Sequence, residues 1–423
     1  MNKKTEIRTR PVKRNHRLRT GTPEPCCFAI TTRPVKRNHR LRTGTPEPCC
    51  TTIKKDLWHF LSETHRPVLL YGTGNGADKI LDICLEKKID VLGVFASDGF
   101  VTKADGRRRK FREMPLLSYS EACERFAQYD FIILLCFATR FPDVIDRICE
   151  IEKKHELYVP DVPVVSGSEL FTEKFVFKNR EKISSARKLL ADEESRRIFD
   201  GITEGKLTGC LHTLLGASSA DKDFTEIFSG RKYSSYADLG AYNGDTVNEF
   251  LSFFPETEKI IALEPDAKSF KKLRTVCDRL TSEIPSLRID TYNAAAWDEC
   301  VNLSFCTHGN RGSSGFRIAS VGDEGETSLI PALTLDSILG GRSVDFIKYD
   351  VEGAEKHALL GSAETIRRFT PDICLSLYHR SEDPYELPLL LESICQGYRM
   401  FLRRKRCLPA WEINLYALCD RQY

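Results

Sequence analysis

A chain of 423 residues is longer than one hydrophobic core organises, so two globular units with appendages are expected. Its 41% hydrophobic and 29% charged residues are the balance of a soluble globular protein. No apolar run reaches the roughly 20 residues that cross a bilayer, and the basic start leads into no signal-peptide core, so the expected location is cytoplasmic with no membrane span. The formal charge of +3 hides an asymmetry: residues 1–55 carry 15 Lys/Arg against 3 Asp/Glu, a net of +12 that leaves −9 on the rest. Sixteen cysteines are scattered without a Cys-x-x-Cys pair or histidines at metal spacing, which reads as reduced, mostly buried thiols and no dedicated metal site.

Residues 1–52 read as a disordered basic arm. The nineteen residues from Thr9 to Cys27 recur unchanged from Thr32 to Cys50, a period of 23. Repeats that build solenoids carry an apolar face to stack, and this one, rich in Pro and Arg, does not. Such an arm can bind nucleic acid or an anionic membrane. A tandem duplication or translated non-structural sequence explains it more simply.

Residues 53–168 read as a smaller Rossmann-like α/β domain. KDLWHFLSE forms a short helix, and an apolar strand from Val68 to Tyr71 then enters the turn Gly72-x-Gly74-x-Gly76. A helix through Ile80, Leu81 and Cys84 leads to a second strand, Val91 to Phe95, and to Asp98. This is a βαβ unit with a dinucleotide-type turn, in which Asp98 has the place of a ribose-binding carboxylate. The runs Phe131–Ala138 and Tyr158–Val165 extend the sheet, with the helical DVIDRICEIEKK between them. Arg107 to Lys110 reads either as a phosphate contact or as a solvated loop. Residues 169–228, with Ile183, Leu189, Leu190, Ile198 and Phe199 at helical intervals, read as a connector bridging the two units.

Residues 229–423 are organised around YADLGAYNGDT. A strand ends at Asp238, and Gly240 and Gly244 bracket Tyr242 and Asn243 in a tight turn before a helix begins at Val247. Glycines let such a turn bring backbone N–H groups against a ligand. Glu264 closes the next strand, KIIALEPD, where a carboxylate can accept from two vicinal ribose hydroxyls. A third strand near Arg288–Ala295 makes Asn293 and Ala295 candidates to flank an adenine ring; Trp297 reads as part of that contact or as core. VNLSF and SGFRIAS read as an inserted hairpin. The fourth strand ends in Asp350-Val351-Glu352-Gly353, with Glu355 following, and the fifth in Tyr378-His379. A helix from Leu387 and a final hairpin, YRMFL and INLYAL, close the sheet. Ligands of open α/β sheets bind beyond the carboxyl ends of the strands, where all these carboxylates and His379 collect.

Taken together, ADLGAYNGDT, ALEPD, NAAAWDE, LTLDSIL, FIKYDVEGAE and the strand ending in His379 resemble the FkbM family of S-adenosylmethionine-dependent methyltransferases over roughly residues 230–423. The resemblance implies a class I methyltransferase fold, a doubly wound seven-stranded sheet whose last strand is antiparallel. It implies S-adenosylmethionine as cofactor and O-methylation of a hydroxyl on a sugar, glycan or related small molecule. By it, Asp238, Gly240 and Gly244 match the cofactor turn, Glu264 the ribose carboxylate, and Asp350, Glu352 and Gly353 the acidic-glycine motif. The strand before His379 reads Leu-Ser-Leu-Tyr where the family more often carries an acidic residue.

A protonated hydroxyl is a poor nucleophile and profits from a base, for which Asp350 and His379 are the candidates. The same carboxylates could instead hold Mg²⁺ on the acceptor oxygen. Two alternatives stand beside a hydroxyl-methylating enzyme: a nucleic-acid methyltransferase using the basic arm, and a non-catalytic nucleotide-sugar-binding module. Against a nucleic-acid partner, the Asn/Asp-Pro-Pro-aromatic turn of amino-methylating enzymes is absent after strand four, and Asp383-Pro384-Tyr385 follows strand five instead. The acceptor and the oligomeric state are not named by the residues.

Overall fold

The computed structural model describes residues 55–103, 106–165, 168–220, 226–307, 316–318 and 326–419. The arm and its repeat lie outside them, as does most of SGFRIAS.

Strands β1 (Val68–Tyr71), β2 (Val91–Ala96), β3 (Lys110–Phe111), β4 (Met114–Ser118), β5 (Ile132–Leu135) and β6 (Leu157–Tyr158) form a six-stranded sheet in the order β3-β4-β2-β1-β5-β6, parallel except for β3. Its central strands are continuous apolar runs because both faces are covered: β1 and β5 are buried at every position. The run Tyr158–Val165 yields strand only at its start, since Pro160 and Pro163 offer no N–H to a ladder. Within the charged run, Lys110 begins β3, while Arg108 forks onto Glu121.

Strands β7 (Ser235–Leu239), β8 (Lys259–Leu263) and β9 (Arg288–Tyr292) begin the second sheet. A four-stranded sheet of β10 (Ala295–Ala296), β11 (Val301–Thr307), β12 (Phe316–Ile318) and β13 (Glu326–Leu333) is inserted next. Then come β14 (Phe346–Tyr349), β15 (Asp372–Ser376), β16 (Arg399–Arg404) and β17 (Ile413–Leu418). The seven strands order as β16-β17-β15-β14-β7-β8-β9, and β17 runs antiparallel to both neighbours. This is the seven-stranded sheet with an antiparallel C-terminal hairpin typical of class I methyltransferases. The strand order reverses between β7 and β14, so their carboxyl ends open a crevice there.

The helices Glu173–Leu189 and Glu193–Thr208 do more than bridge. The first packs on the helix Asp383–Ile394, with Phe175 against Tyr385 at 6.2 Å. The second meets the edge strand β16: Ser195 Oγ accepts from the Leu402 N–H at 2.9 Å, and Asp192 pairs with Arg403 at 2.6 Å. One hydrophobic core therefore runs from Leu69 and Phe95 through Ile198 and Phe199 to Ile347 and Leu375.

The two sheets also meet near their carboxyl ends. Thr139, beyond β5, exchanges backbone hydrogen bonds of 2.8 and 2.9 Å with Leu408 in the β16–β17 loop. Lys79 donates to the carbonyls of Pro163 and Val164, at 2.7 and 2.8 Å, and Val165 N–H donates to the His379 carbonyl at 3.3 Å. Lys206 and Asp161, both buried, pair at 2.9 Å. All described cysteines are free thiols; Cys84, Cys136, Cys277, Cys374 and Cys407 are buried. Among the described residues no helix is long and apolar enough to cross a membrane.

Candidate active site

The turn after β7 is built by left-handed backbone. Gly240 has φ +91°, Tyr242 +45° and Gly244 +86°. A Cβ on Gly240 would lie 2.0 Å from the Asp350 carbonyl oxygen, so only glycine lets β7 and β14 diverge at this spacing. Gly240 and Ala241 N–H both donate to the Leu263 carbonyl, at 3.0 and 2.9 Å, and Asn243 Oδ1 accepts from the Asp245 N–H at 3.1 Å. The helix Asp245–Phe253 then starts at Gly244. Tyr242 is left half-exposed at the rim.

Asp238 lies beneath this turn. It is fully buried, accepts from the Thr246 hydroxyl, and stands 3.6 Å from Lys348 Nζ. Burial pushes its carboxyl up, against the pull of Lys348. Expected at the cofactor surface, Asp238 instead braces the turn from inside; Lys348 and Thr246, its partners, were not legible because nothing local marks a strand lysine as buried.

Glu264 is 7% exposed, and its two oxygens accept from the Tyr242 and Asp266 N–H groups at 2.9 and 2.8 Å. Burial outweighs those bonds and pushes its carboxyl up to about 7. Asn293 does not reach outward through its amide nitrogen, which donates to the carbonyls of Glu264 and Pro265 at 2.8 and 3.0 Å. Ala295 is buried and pairs with Ala332 in the inserted sheet. Trp297 stacks on His357 with ring centroids 3.6 Å apart, and Asp298 holds that imidazole at 2.8 Å.

Across the crevice, β14 delivers the acidic loop. Glu352 at φ +52° and Gly353 at φ +93° fold residues 350–353 back, and the Val351 N–H donates to Glu355 Oε1 at 3.0 Å. A Cβ on Gly353 would meet Val165 at 2.5 Å, so the segment arriving from the first sheet closes over this loop. Asp350, 23% exposed, accepts from Lys348 Nζ and the Tyr378 hydroxyl, each at 3.3 Å. Burial works to raise its carboxyl, but Lys348 and His379 prevail and hold it below the ordinary value.

His379 is 1% exposed. Glu355 lies 2.8 Å from its Nδ1, and Glu352 and Asp350 lie 3.6 and 3.7 Å from its Nε2. Burial alone would lower it, yet Glu355 first, then Glu352 and Asp350, raise it to about 10. An imidazole so placed is already charged at neutral pH, so the expectation that His379 serves as general base does not fit its surroundings.

Residues 238–403 match the family described as Methyltransferase FkbM domain. These residues are an FkbM methyltransferase domain.

A solved structure of Methyltransferase FkbM from Methylobacillus flagellatus KT shares the fold of this chain at a TM-score of 0.63 and 18% identity, covering 84% of this chain and 90% of that one. That share extends well beyond the matched domain. Aeropyrum pernix fibrillarin with natively bound S-adenosyl-L-methionine, at 12% identity over 47% of this chain and 74% of its own, has a TM-score of 0.28, too low to bear on this chain. No curated protein matches it.

The FkbM domain is S-adenosylmethionine-dependent, and the residues present fit that cofactor. Gly240 lets the turn close against the Asp350 carbonyl, Glu264 follows β8 with its carboxylate at the strand end, and the carboxylates along the strand ends suit a ligand bearing a sulfonium and an ammonium.

In the first sheet, Gly72 has φ +120° against Phe137, a Cβ on Gly76 would lie 2.7 Å from the Cys136 carbonyl, and a Cβ on Gly74 would meet nothing within 4 Å. Asp98 is exposed just past β2. The expected turn and carboxylate thus share one sheet edge.

Proposed function

We propose that the FkbM domain methylates a hydroxyl oxygen of a sugar, glycan or related small molecule. The observation that carries this reading is Asp350, a carboxylate kept ionised and partly exposed while its backbone touches the cofactor turn at Gly240. When bound, S-adenosylmethionine supplies a methyl group already activated by its sulfonium. What remains for the protein is to hold an oxygen in line and take its proton. Lys348 and Tyr378 fix the Asp350 carboxylate for that task. Glu264 has four lone-pair sites and spends two on Tyr242 and Asp266, which leaves two for the ribose hydroxyls. The segment ending at Val165 covers the Gly353 side and helps exclude water.

Amine and nucleic-acid acceptors fit less well. Asp383, Pro384 and Tyr385 are buried in the first turn of the helix that follows β15 and offer no aromatic wall to a base. The test is a screen of full-length protein with methyl-labelled cofactor against sugars, nucleotide sugars, glycans, DNA and RNA. Label is expected on a hydroxyl, and Asp350→Asn should lower turnover by about 10²- to 10⁴-fold with cofactor binding retained. Label confined to an amine or to nucleic acid would overturn the reading.

A further inference from the structure

The carboxyl ends of β14 and β15 and the helix Glu355–Leu360 bring three ligand-type side chains to one point beside the cofactor turn. One donor atom each from Asp350, Glu355 and His379 lies within 4.8 Å of the others. Glu355 and His379 are each 1% exposed. Glu355 Oε2 is buried without a hydrogen-bond partner, while Oε1 lies 2.8 Å from His379 Nδ1. An unsatisfied polar atom buried this deeply costs on the order of 1–3 kcal/mol and calls for a partner.

We infer that Asp350, Glu355 and His379 form a binding site for a divalent first-row metal ion. Bonds of about 2.1 Å set neighbouring donors roughly 3 Å apart and opposite ones roughly 4.2 Å apart, so the three close on an ion by side-chain rotation. Lys348 holds the Oδ2 side of Asp350 at 3.3 Å, which turns Oδ1 toward Nε2 of His379, 3.7 Å away. Glu352, with its side chain 40% exposed and 3.6 Å from the same nitrogen, stands at the mouth. Carboxylates alone would suit Mg²⁺ or Ca²⁺; the imidazole, once the ion has displaced the proton it carries at neutral pH, moves the preference to ions such as Mn²⁺, Co²⁺ or Zn²⁺. The backbone is prepared for this set. Val351 and Gly353 N–H both point at Glu355 Oε1, at 3.0 and 3.4 Å, and the Val165 N–H secures the His379 carbonyl.

Coordination positions not taken by protein would be left for an acceptor oxygen on the exposed side of Asp350, which the ion would make more acidic. That role rests on the hydroxyl-methylation reading; binding of the ion does not.

The test uses chelator-treated full-length protein titrated with Mn²⁺, with free ion read by electron paramagnetic resonance. One ion per chain is expected, without added cofactor or acceptor. Asp350→Asn, Glu355→Gln and His379→Asn should each weaken binding by about tenfold or more. Asp350 is partly exposed, and circular dichroism with cofactor binding reports whether each variant is folded. No stoichiometric Mn²⁺ on the wild type, or wild-type affinity in folded Asp350→Asn and Glu355→Gln, would overturn the site. A hydroxyl methylated equally well under chelator, with no ion bound, would sink the metal site and leave the methylation reading standing. Stoichiometric Mn²⁺ without any hydroxyl acceptor would do the reverse.

Discussion

Replacing Gly240 by Ala tests the geometry on which the cofactor site depends. The new Cβ would sit 2.0 Å from the Asp350 carbonyl oxygen, more than 1 Å inside the roughly 3.3 Å at which carbon and oxygen rest in contact. It would also hold an L side chain at φ +91°, costing about 1–2 kcal/mol. Relief requires β7 and β14 to part. That strains the Asp350 N–H to Leu239 carbonyl bond and the two bonds onto Leu263, each worth about 1 kcal/mol net and more if left buried and unmade. The expected loss is roughly 3–5 kcal/mol in guanidinium unfolding followed by circular dichroism, together with loss of S-adenosylmethionine binding by calorimetry. Gly74→Ala is the internal control. A Cβ there meets nothing within 4 Å and the backbone is already at φ −84°, so its stability should stay within about 0.5 kcal/mol of wild type. A loss under about 1 kcal/mol at Gly240 with cofactor binding intact would refute the reasoning.

Glu264 gives a pH signature. Its carboxyl ionises near 7 in the folded chain against 4.5 ordinarily, so the proton is held more tightly in the fold, and any stability this confers fades as pH rises from 4.5 through 7. The ionised form is the better acceptor for ribose hydroxyls, so calorimetric affinity for S-adenosylmethionine should rise between pH 6 and about 8. Glu264→Gln should flatten that rise and weaken binding by about 10- to 100-fold at the upper end; an unchanged profile in the variant would remove Glu264 from the ribose. Arg404, fully buried, donates to the carbonyls of Leu214, Ala217, Cys407, Pro409 and Trp411 and so ties the helix Leu211–Gly216 to the β16–β17 loop. Arg404→Met strips five carbonyls of a donor and should cost about 3–5 kcal/mol in the same unfolding assay, whereas a cost near zero would mean that water replaces the guanidinium.

Much of the C-terminal sheet was legible because its information is local. Apolar runs of four or five residues, each ending in a carboxylate or glycine, specify strands and turns within a window of about ten residues. The positive-φ turn at Gly240, the Glu264 strand end and the Asp350 loop could all be read that way. The helices at 173–208 were legible as helices but not as a layer on the seven-stranded sheet. An amphipathic face declares that a surface must be covered and does not name the surface.

The sequence by itself determined the element order, the glycine turns and the collection of carboxylates at one sheet edge, since backbone freedom and hydrophobic period are properties of neighbouring residues. Only the tertiary structure decided what each charged group does. Asp238 became a brace because Lys348 from an adjacent strand lies against it. His379 lost its place as a base because Glu355, Glu352 and Asp350, from 24 to 29 positions away along the chain, surround it in a buried setting. Charge and proton affinity depend on through-space distance and on burial, and neither is written in the spacing of residues along a chain.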